Sequence, residues 1–201
     1  IIFQSRAFYK FCFFLPLKNK AFYDKVTIGG NMKVAIFFGS KSDTNTMKGA
    51  AEVLKNFGVE YSSYILSAHR SSELLHETIK KCEEDNVEVI IAGAGLAAHL
   101  PGVIASMTVL PVVGVPLECM SMDAKGRSSN GLGGMDALLS IVQMPKQIPV
   151  ATVGINNAGN AAYLAVEILA IKYPDLKEKL LAFRKRLAEE AKENGGLGVD
   201  L

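Results

Sequence analysis

Residues 34–43 read Val34-Ala35-Ile36-Phe37-Phe38-Gly39-Ser40-Lys41-Ser42-Asp43. An unbroken apolar run with no polar alternation fits a strand covered on both faces, which is the habit of parallel sheets. Gly39 closes the run. Asp43 or Thr44 then starts a helix whose inward positions are Met47, Ala50, Ala51, Leu54 and Phe57, and Gly58 ends it. A buried strand, a glycine turn and an amphipathic helix make one βα unit, and a parallel sheet needs such crossovers.

The unit repeats in kind along the chain. Val59 to Leu66 reads as a second strand, followed by Ser67-Ala68-His69-Arg70 and a helix with Leu74, Leu75, Thr78, Ile79 and Cys82 inward. Val87 to Ala92 is a third strand, ending in the turn Gly93-Ala94-Gly95-Leu96-Ala97-Ala98-His99. Pro101 suits the first turn of the next helix, where a missing N–H costs nothing. Val109 to Val115 is a fourth strand, and Pro116 to Gly134 a long loop rich in Gly, Ser and Asp. Met135 to Gln143 reads as a short helix, Val150 to Ile155 as a fifth strand, and Asn157 to Lys172 as an apolar helix. Tyr173-Pro174-Asp175 breaks the chain before a charged helix over about 175–193, with Gly195 to Leu201 as a tail. The expected fold is a three-layer α/β/α single domain with a parallel sheet and helices on both faces. In the last helix, Leu176, Leu180, Phe183, Leu187 and Ala191 recur at helical spacing and serve either the domain itself or a neighbouring subunit.

Composition narrows the function classes. The 201 residues carry a formal charge of +2, but residues 1–31 hold five basic residues against one acidic. The rest of the chain has 17 basic and 19 acidic residues, so nucleic-acid binding has no electrostatic support. Cys12, Cys82 and Cys119 are scattered with no CxxC spacing, as expected of reduced thiols in a cytoplasmic protein. The apolar stretch Phe11 to Leu17 is far too short to span a bilayer. Residues 1–31 are Phe-rich, basic and unlike the remainder, and Gly29-Gly30-Asn31-Met32 is what a purine-rich ribosome-binding site and start codon would encode. Met32 is therefore the expected native start, with residues 1–31 a leader or remnant and residues 32–201 the α/β domain.

Three loops carry the candidate chemistry, each placed where a parallel strand ends, which is where open α/β sheets hold ligands. In Gly39–Asp43 a glycine lets the backbone approach an anion, serine hydroxyls can donate, and a helix N-terminus follows. The same segment also suits a plain strand-to-helix turn, and it lacks the ending of a Walker A loop. Asp43 is suited to capping the helix, to accepting from a sugar hydroxyl, or to both. His69 is the acid/base candidate, because an imidazole titrates near neutrality. Its neighbour Arg70 suits a phosphate oxygen. His99 either orients a group or satisfies backbone carbonyls, and His76 belongs to a solvated helix face. Gly93-Ala-Gly-Leu-Ala-Ala98 matches a GxGxxA dinucleotide pattern only superficially, since it follows the third strand and its helix starts near residue 100. No spacing of His, Cys or carboxylates indicates a metal site.

The order and spacing of GSKSD (39–43), SAHR (67–70) and GAGLAAHLPG (93–102) resemble the PurE family of purine biosynthesis, and Met135 to Pro145 is similar to a later signature of that family. The resemblance spans about Lys33 to Ala191. It implies a flavodoxin-like fold and, from the form of SAHR and GAGLAAHLPG, the mutase class, which converts 5-(carboxyamino)imidazole ribonucleotide into 4-carboxy-5-aminoimidazole ribonucleotide. By similarity Ser40 and Arg70 would hold the phosphate, Asp43 the ribose hydroxyls, and His69 would move the proton. Ser67 would line the same pocket. Backbone from Gly95 to Leu100 would enclose the base and migrating carboxyl, with His99 nearby. The resemblance further implies no cofactor or metal, a small-molecule ribonucleotide as the only substrate, no nucleic-acid or membrane partner, and a cytoplasmic homo-octamer. The other functions weighed are the family's carboxylase using free carbon dioxide, a related pyridine-nucleotide carboxylase, and a non-catalytic nucleotide binder. Three departures stand out: Leu96 where the family usually has Gly, a 116–134 loop about ten residues longer, and a shorter turn at Asn156–Asn160.

Overall fold

The computed structural model describes residues 32–118, 120–122, 128–130 and 132–195, which belong to one compact unit. The expected leader 1–31, Cys12, Cys119 and nearly all of the tail lie outside the described residues.

Strands β1 (Lys33–Phe38), β2 (Glu60–Ile65), β3 (Val89–Gly95), β4 (Val112–Leu117) and β7 (Ala151–Thr152) form a five-stranded sheet in the order β2-β1-β3-β4-β7. Every pairing is parallel. The order is that of the flavodoxin-like fold, as expected, and it reverses direction between β1 and β3.

Alternate residues of each inner strand feed opposite layers. Val34, Ile36 and Phe38 of β1 join a core with α1 (Thr44–Phe57), α5 (Ala158–Leu169) and the start of α6 (Pro174–Asn194). Ala35 and Phe37 face the other layer, made by α2 (Ser72–Glu84), α3 (His99–Ala105) and α4 (Met135–Val142). Ile36, Phe37, Ile90 and Ile91 are at most 1% exposed, each burial contributing roughly 1.5–3 kcal/mol.

The ends of elements depart from the sequence reading for identifiable reasons. Leu74 is 52% exposed, so the inward face of α2 is Leu75, Ile79 and Cys82. Val109 is fully solvated and the fourth strand begins only at Val112. Pro111 accepts from the Ile90 amide but has no N–H of its own to continue the ladder. The third strand runs on to Gly95, because Gly93 sits in register with Phe38 and Val115. A β-carbon there would lie 2.5 Å from Met47 Sδ. The fifth strand shrinks to two residues between Pro149 and a turn in which Asn156 has φ +59°. The fourth strand also runs on through Pro116 and Leu117, paired with Ala94 and Gly95, so the expected 116–134 loop starts only at Glu118; within it β5 (Met120–Met122) and β6 (Ser128–Asn130) pair antiparallel.

Helix α6 is packed for only half its length: Leu176 and Leu180 are buried, Phe183 partly, while Leu187 and Ala191 are exposed. Phe183 stacks on Tyr163 and meets Phe57 edge-on. Lys179 Nζ donates to the Phe57 carbonyl at 2.9 Å, a cation on the C-terminal end of α1.

Candidate active site

The loops after β1, β2 and β3 meet at the C-terminal edge of the sheet, over the point where strand order reverses. They enclose a cleft of about 490 Å³ lined by Gly39, Ser40, Asp43, Ser67, His69, Arg70, Gly95, Leu96, His99 and Leu100 among others. Every site residue expected from the sequence therefore lies on one cavity. Two larger hollows, about 690 and 610 Å³, lie against α6 and are lined mainly by apolar side chains with the Glu167–Arg184 ion pair between them. Volume alone would favour those hollows, but only the smaller cleft gathers imidazoles, a guanidinium, hydroxyls and a carboxylate, and we assign the site by that chemistry.

The first loop is a single 3₁₀ turn, Lys41–Asp43, ahead of α1. Ser40 is extended and its hydroxyl lies 2.9 Å from the Ser42 hydroxyl. Ser42 also sits 3.1 Å from Asp43 Oδ1. Asp43 makes no side-chain cap on α1; of its two roles, helix capping is absent and its carboxylate is left to the cleft. Burial raises the Asp43 carboxyl above its ordinary value, and hydrogen bonds from the Ser42 hydroxyl and the Ser40 amide pull it back only in part.

The second loop is braced by Ser71, which the sequence reading passed over. Its hydroxyl donates to the Ser67 carbonyl at 3.0 Å and accepts from the Ser67 amide at 3.1 Å, while its own amide closes on the same carbonyl. A serine four residues after Ser67, facing back on the loop, is the signal that could have identified it. This clasp presents Ala68, His69 and Arg70 outward. Arg70 Nη2 donates to the Gly39 carbonyl at 3.3 Å, so the guanidinium is held against the first loop.

The third loop brings His99 to His69. His69 Nε2 lies 2.8 Å from His99 Nδ1, with the ring planes near perpendicular and their centroids 5.0 Å apart. One N–H bridges two ring nitrogens, so the pair keeps this bond only while at least one imidazole is neutral. His99 thus orients a ring rather than satisfying a carbonyl. Both rings are exposed to the cleft. Leu100 is 4% exposed, with its side chain in the core, so what it offers the cleft is mainly backbone. His76 lies exposed on α2, away from the cleft lining. Among the described residues no group of His, Cys, Asp and Glu could hold a metal, and no helix is long and apolar enough to cross a membrane.

The chain is similar to proteins of known sequence and structure. An N5-carboxyaminoimidazole ribonucleotide mutase of Pyrococcus abyssi is 56% identical over 78% of this chain and 84% of its own. The protein of that name from Thermotoga maritima is 50% identical over 80% of this chain and 88% of its own. The crystal structure of Treponema denticola PurE superposes with a TM-score of 0.69 at 26% identity, covering 81% of this chain and 95% of the other. The family described as AIR carboxylase matches residues 33–190, and with that match and those identities the chain belongs to the AIR carboxylase, or PurE, family.

Proposed function

We propose that the chain is an N5-carboxyaminoimidazole ribonucleotide mutase of purine biosynthesis, an isomerase that moves the carboxyl group from the exocyclic nitrogen to the ring carbon. The observation that carries the mechanism is the His69–His99 hydrogen bond at the mouth of a cleft that also holds Ser40, Asp43 and Arg70. Ser40 and Arg70 take the phosphate, which displaces the weak bond from the guanidinium to the Gly39 carbonyl. Asp43, partly buried, accepts from the ribose hydroxyls and gains a partner that offsets its burial.

His69 enters as the imidazolium and protonates the carbamate nitrogen while the N–C bond breaks, releasing carbon dioxide. The ring carbon attacks that carbon dioxide to form the new C–C bond. Neutral His69 then removes the proton from the same ring carbon and returns to its starting state. Atoms and protons close within substrate and one imidazole, so the reaction as written calls on no cofactor and no metal. His99 accepts or supplies the hydrogen bond that fixes the ring of His69 through both states.

We further infer a homo-octamer in the cytoplasm. The exposed row Met135, Leu139 and Val142 on α4 supports the assembly, and the buried free thiol of Cys82 fits a reducing compartment. The test of function supplies two substrates separately. Turnover of the carbamate is expected. Turnover only of aminoimidazole ribonucleotide with bicarbonate would make the chain a carboxylase instead.

A further inference from the structure

Strand β4 is held unequally along its two edges. Toward β3 it is paired as far as the rungs Ala94–Pro116 and Gly95–Leu117. Toward β7, among the described residues, only Val113 and Gly114 have strand partners. Beyond them one residue takes over. The Asn156 amide donates to the Pro116 carbonyl at 2.8 Å, and Asn156 Oδ1 accepts from the Glu118 amide at 2.9 Å. Asn156 Nδ2 also donates to Glu118 Oε2 at 3.3 Å. The φ of +59° at Asn156 is a left-handed conformation that asparagine tolerates better than most side chains. The turn ends the strand, and the side-chain amide stands in for its next rung. The same turn seats the start of α4, since a β-carbon on Gly134 would lie 2.6 Å from Ile155 Cγ2. Neither Asn156 nor Glu118 lines the cleft, so any effect of Asn156 on the chemistry passes through other groups.

Resting on the mutase reading, we propose that Asn156 is a positioning residue that fixes the end of β4 and thereby the loop that carries His99 to His69. Gly95 ends β3, shares the rung with Leu117 and lines the cleft. Only three residues separate it from α3, whose first residue is His99, so a shift at that rung is passed on with little slack. His99 in turn holds the ring of His69 at 2.8 Å. Ser40, Asp43 and Arg70 stand on the other two loops, so the grip on phosphate and ribose does not share this path.

The experiment compares Asn156→Gly, Asn156→Asp, and Asn156→Asp combined with Glu118→Gln. Glycine accepts the left-handed φ without strain and removes only the side chain. Aspartate keeps an acceptor for the Glu118 amide but sets a carboxylate against the Glu118 carboxylate, and the second substitution turns that repulsion into a hydrogen bond. In carbamate turnover each single variant should lose about tenfold in kcat, inside the roughly hundredfold that a misplacement of about 1 Å brings. Ribonucleotide affinity should stay within about twofold, and the combined variant should recover to within about twofold of the unchanged kcat, as for a restored contact. In a His99→Asn background, Asn156→Gly should cost nothing further, because the path it acts on is already cut. NMR of the imidazole protons without substrate should show the His99 signals moved in both single variants and restored in the combined one.

Unchanged kcat in Asn156→Gly, a further loss on top of His99→Asn, or no recovery in the combined variant overturns the proposal and leaves the mutase assignment standing. Lower stability with unmoved His99 signals overturns it too, and reduces Asn156 to a part of the sheet. If the unchanged enzyme converts no carbamate while the His99 signals respond as expected, the mutase reading falls and the placement of His99 by Asn156 stands.

Discussion

Replacing His69 with Asn separates the proton from everything else the loop does. Asn is neutral at every pH, keeps a polar tip of similar reach, and leaves the Ser71 clasp on the Ser67 backbone untouched. The side chain is exposed and its one hydrogen bond is to an exposed partner at 2.8 Å. The stability at risk is thus one bond of about 0.5–1.5 kcal/mol, or at most about 6 °C in melting temperature for a chain of this size. The catalytic loss is far larger, since acid–base assistance contributes roughly 10²–10⁴ in rate, which is about 3–5 kcal/mol of barrier. The assay follows carbamate conversion under saturating substrate, with calorimetry for ribonucleotide affinity. kcat should fall by at least a hundredfold while affinity stays within about threefold, as for a group that acts in the transition state. Because His99 works through His69, the double variant with His99→Asn should be no slower than His69→Asn alone. Retention of more than about a tenth of kcat, or a loss confined to KM, would refute the role given to this imidazole.

Two more outcomes follow from the same geometry. The Asp43 carboxyl is raised by burial, so the folded state takes up its proton more readily than the unfolded chain. Its ionised form therefore subtracts from stability at neutral pH, and the deficit vanishes as pH falls through the raised value into the ordinary carboxylate range. Asp43→Asn should be at least as stable near neutrality and lose that advantage in acid, while ribonucleotide affinity drops about tenfold, the worth of a hydrogen bond to a charged group; denaturant melts across pH and calorimetry read both. In the sheet, a β-carbon on Gly114 would collide with Ile141 Cγ2 and sit 3.0 Å from Val150 Cγ1, both β-branched side chains, whereas one on Gly93 meets chiefly the flexible Met47. Urea titration should give about 2–3 kcal/mol for Gly114→Ala and about 1 for Gly93→Ala, and equal costs would show that the stiffness of the neighbour is not what decides.

The central sheet was legible because strands buried on both faces leave unbroken apolar runs, and Val34–Phe38 and Val89–Ala92 are such runs. The loops were legible because glycine, serine and titratable groups cluster where those runs stop. What failed depends on partners remote in sequence. Leu74 and Leu75 are indistinguishable by type, and only the packing of α2 turns one outward. The two-residue length of β7 follows from Pro149 and the left-handed Asn156 together, which no local pattern announces. The bond between His69 and His99 joins positions thirty residues apart, so the sequence could nominate each ring but not the contact. The Ser71 brace was hidden for the opposite reason: serines near helix starts are common, and this one makes no cap on α2.

Helix α1 is held at two ends by unlike means. Its first turn leans on the Ser40–Asp43 segment beneath the cleft, and its last carbonyl, that of Phe57, receives the Lys179 ammonium from α6. Fourteen residues of α-helix make a stiff strut of about 21 Å between those anchorages. Trimming the chain's carboxy-terminal rod back past Lys179 would free the far end of the strut, and the slack would appear at the near end as a loosened grip on the sugar phosphate. A deletion made nowhere near the imidazoles would then register as a weaker nucleotide hold.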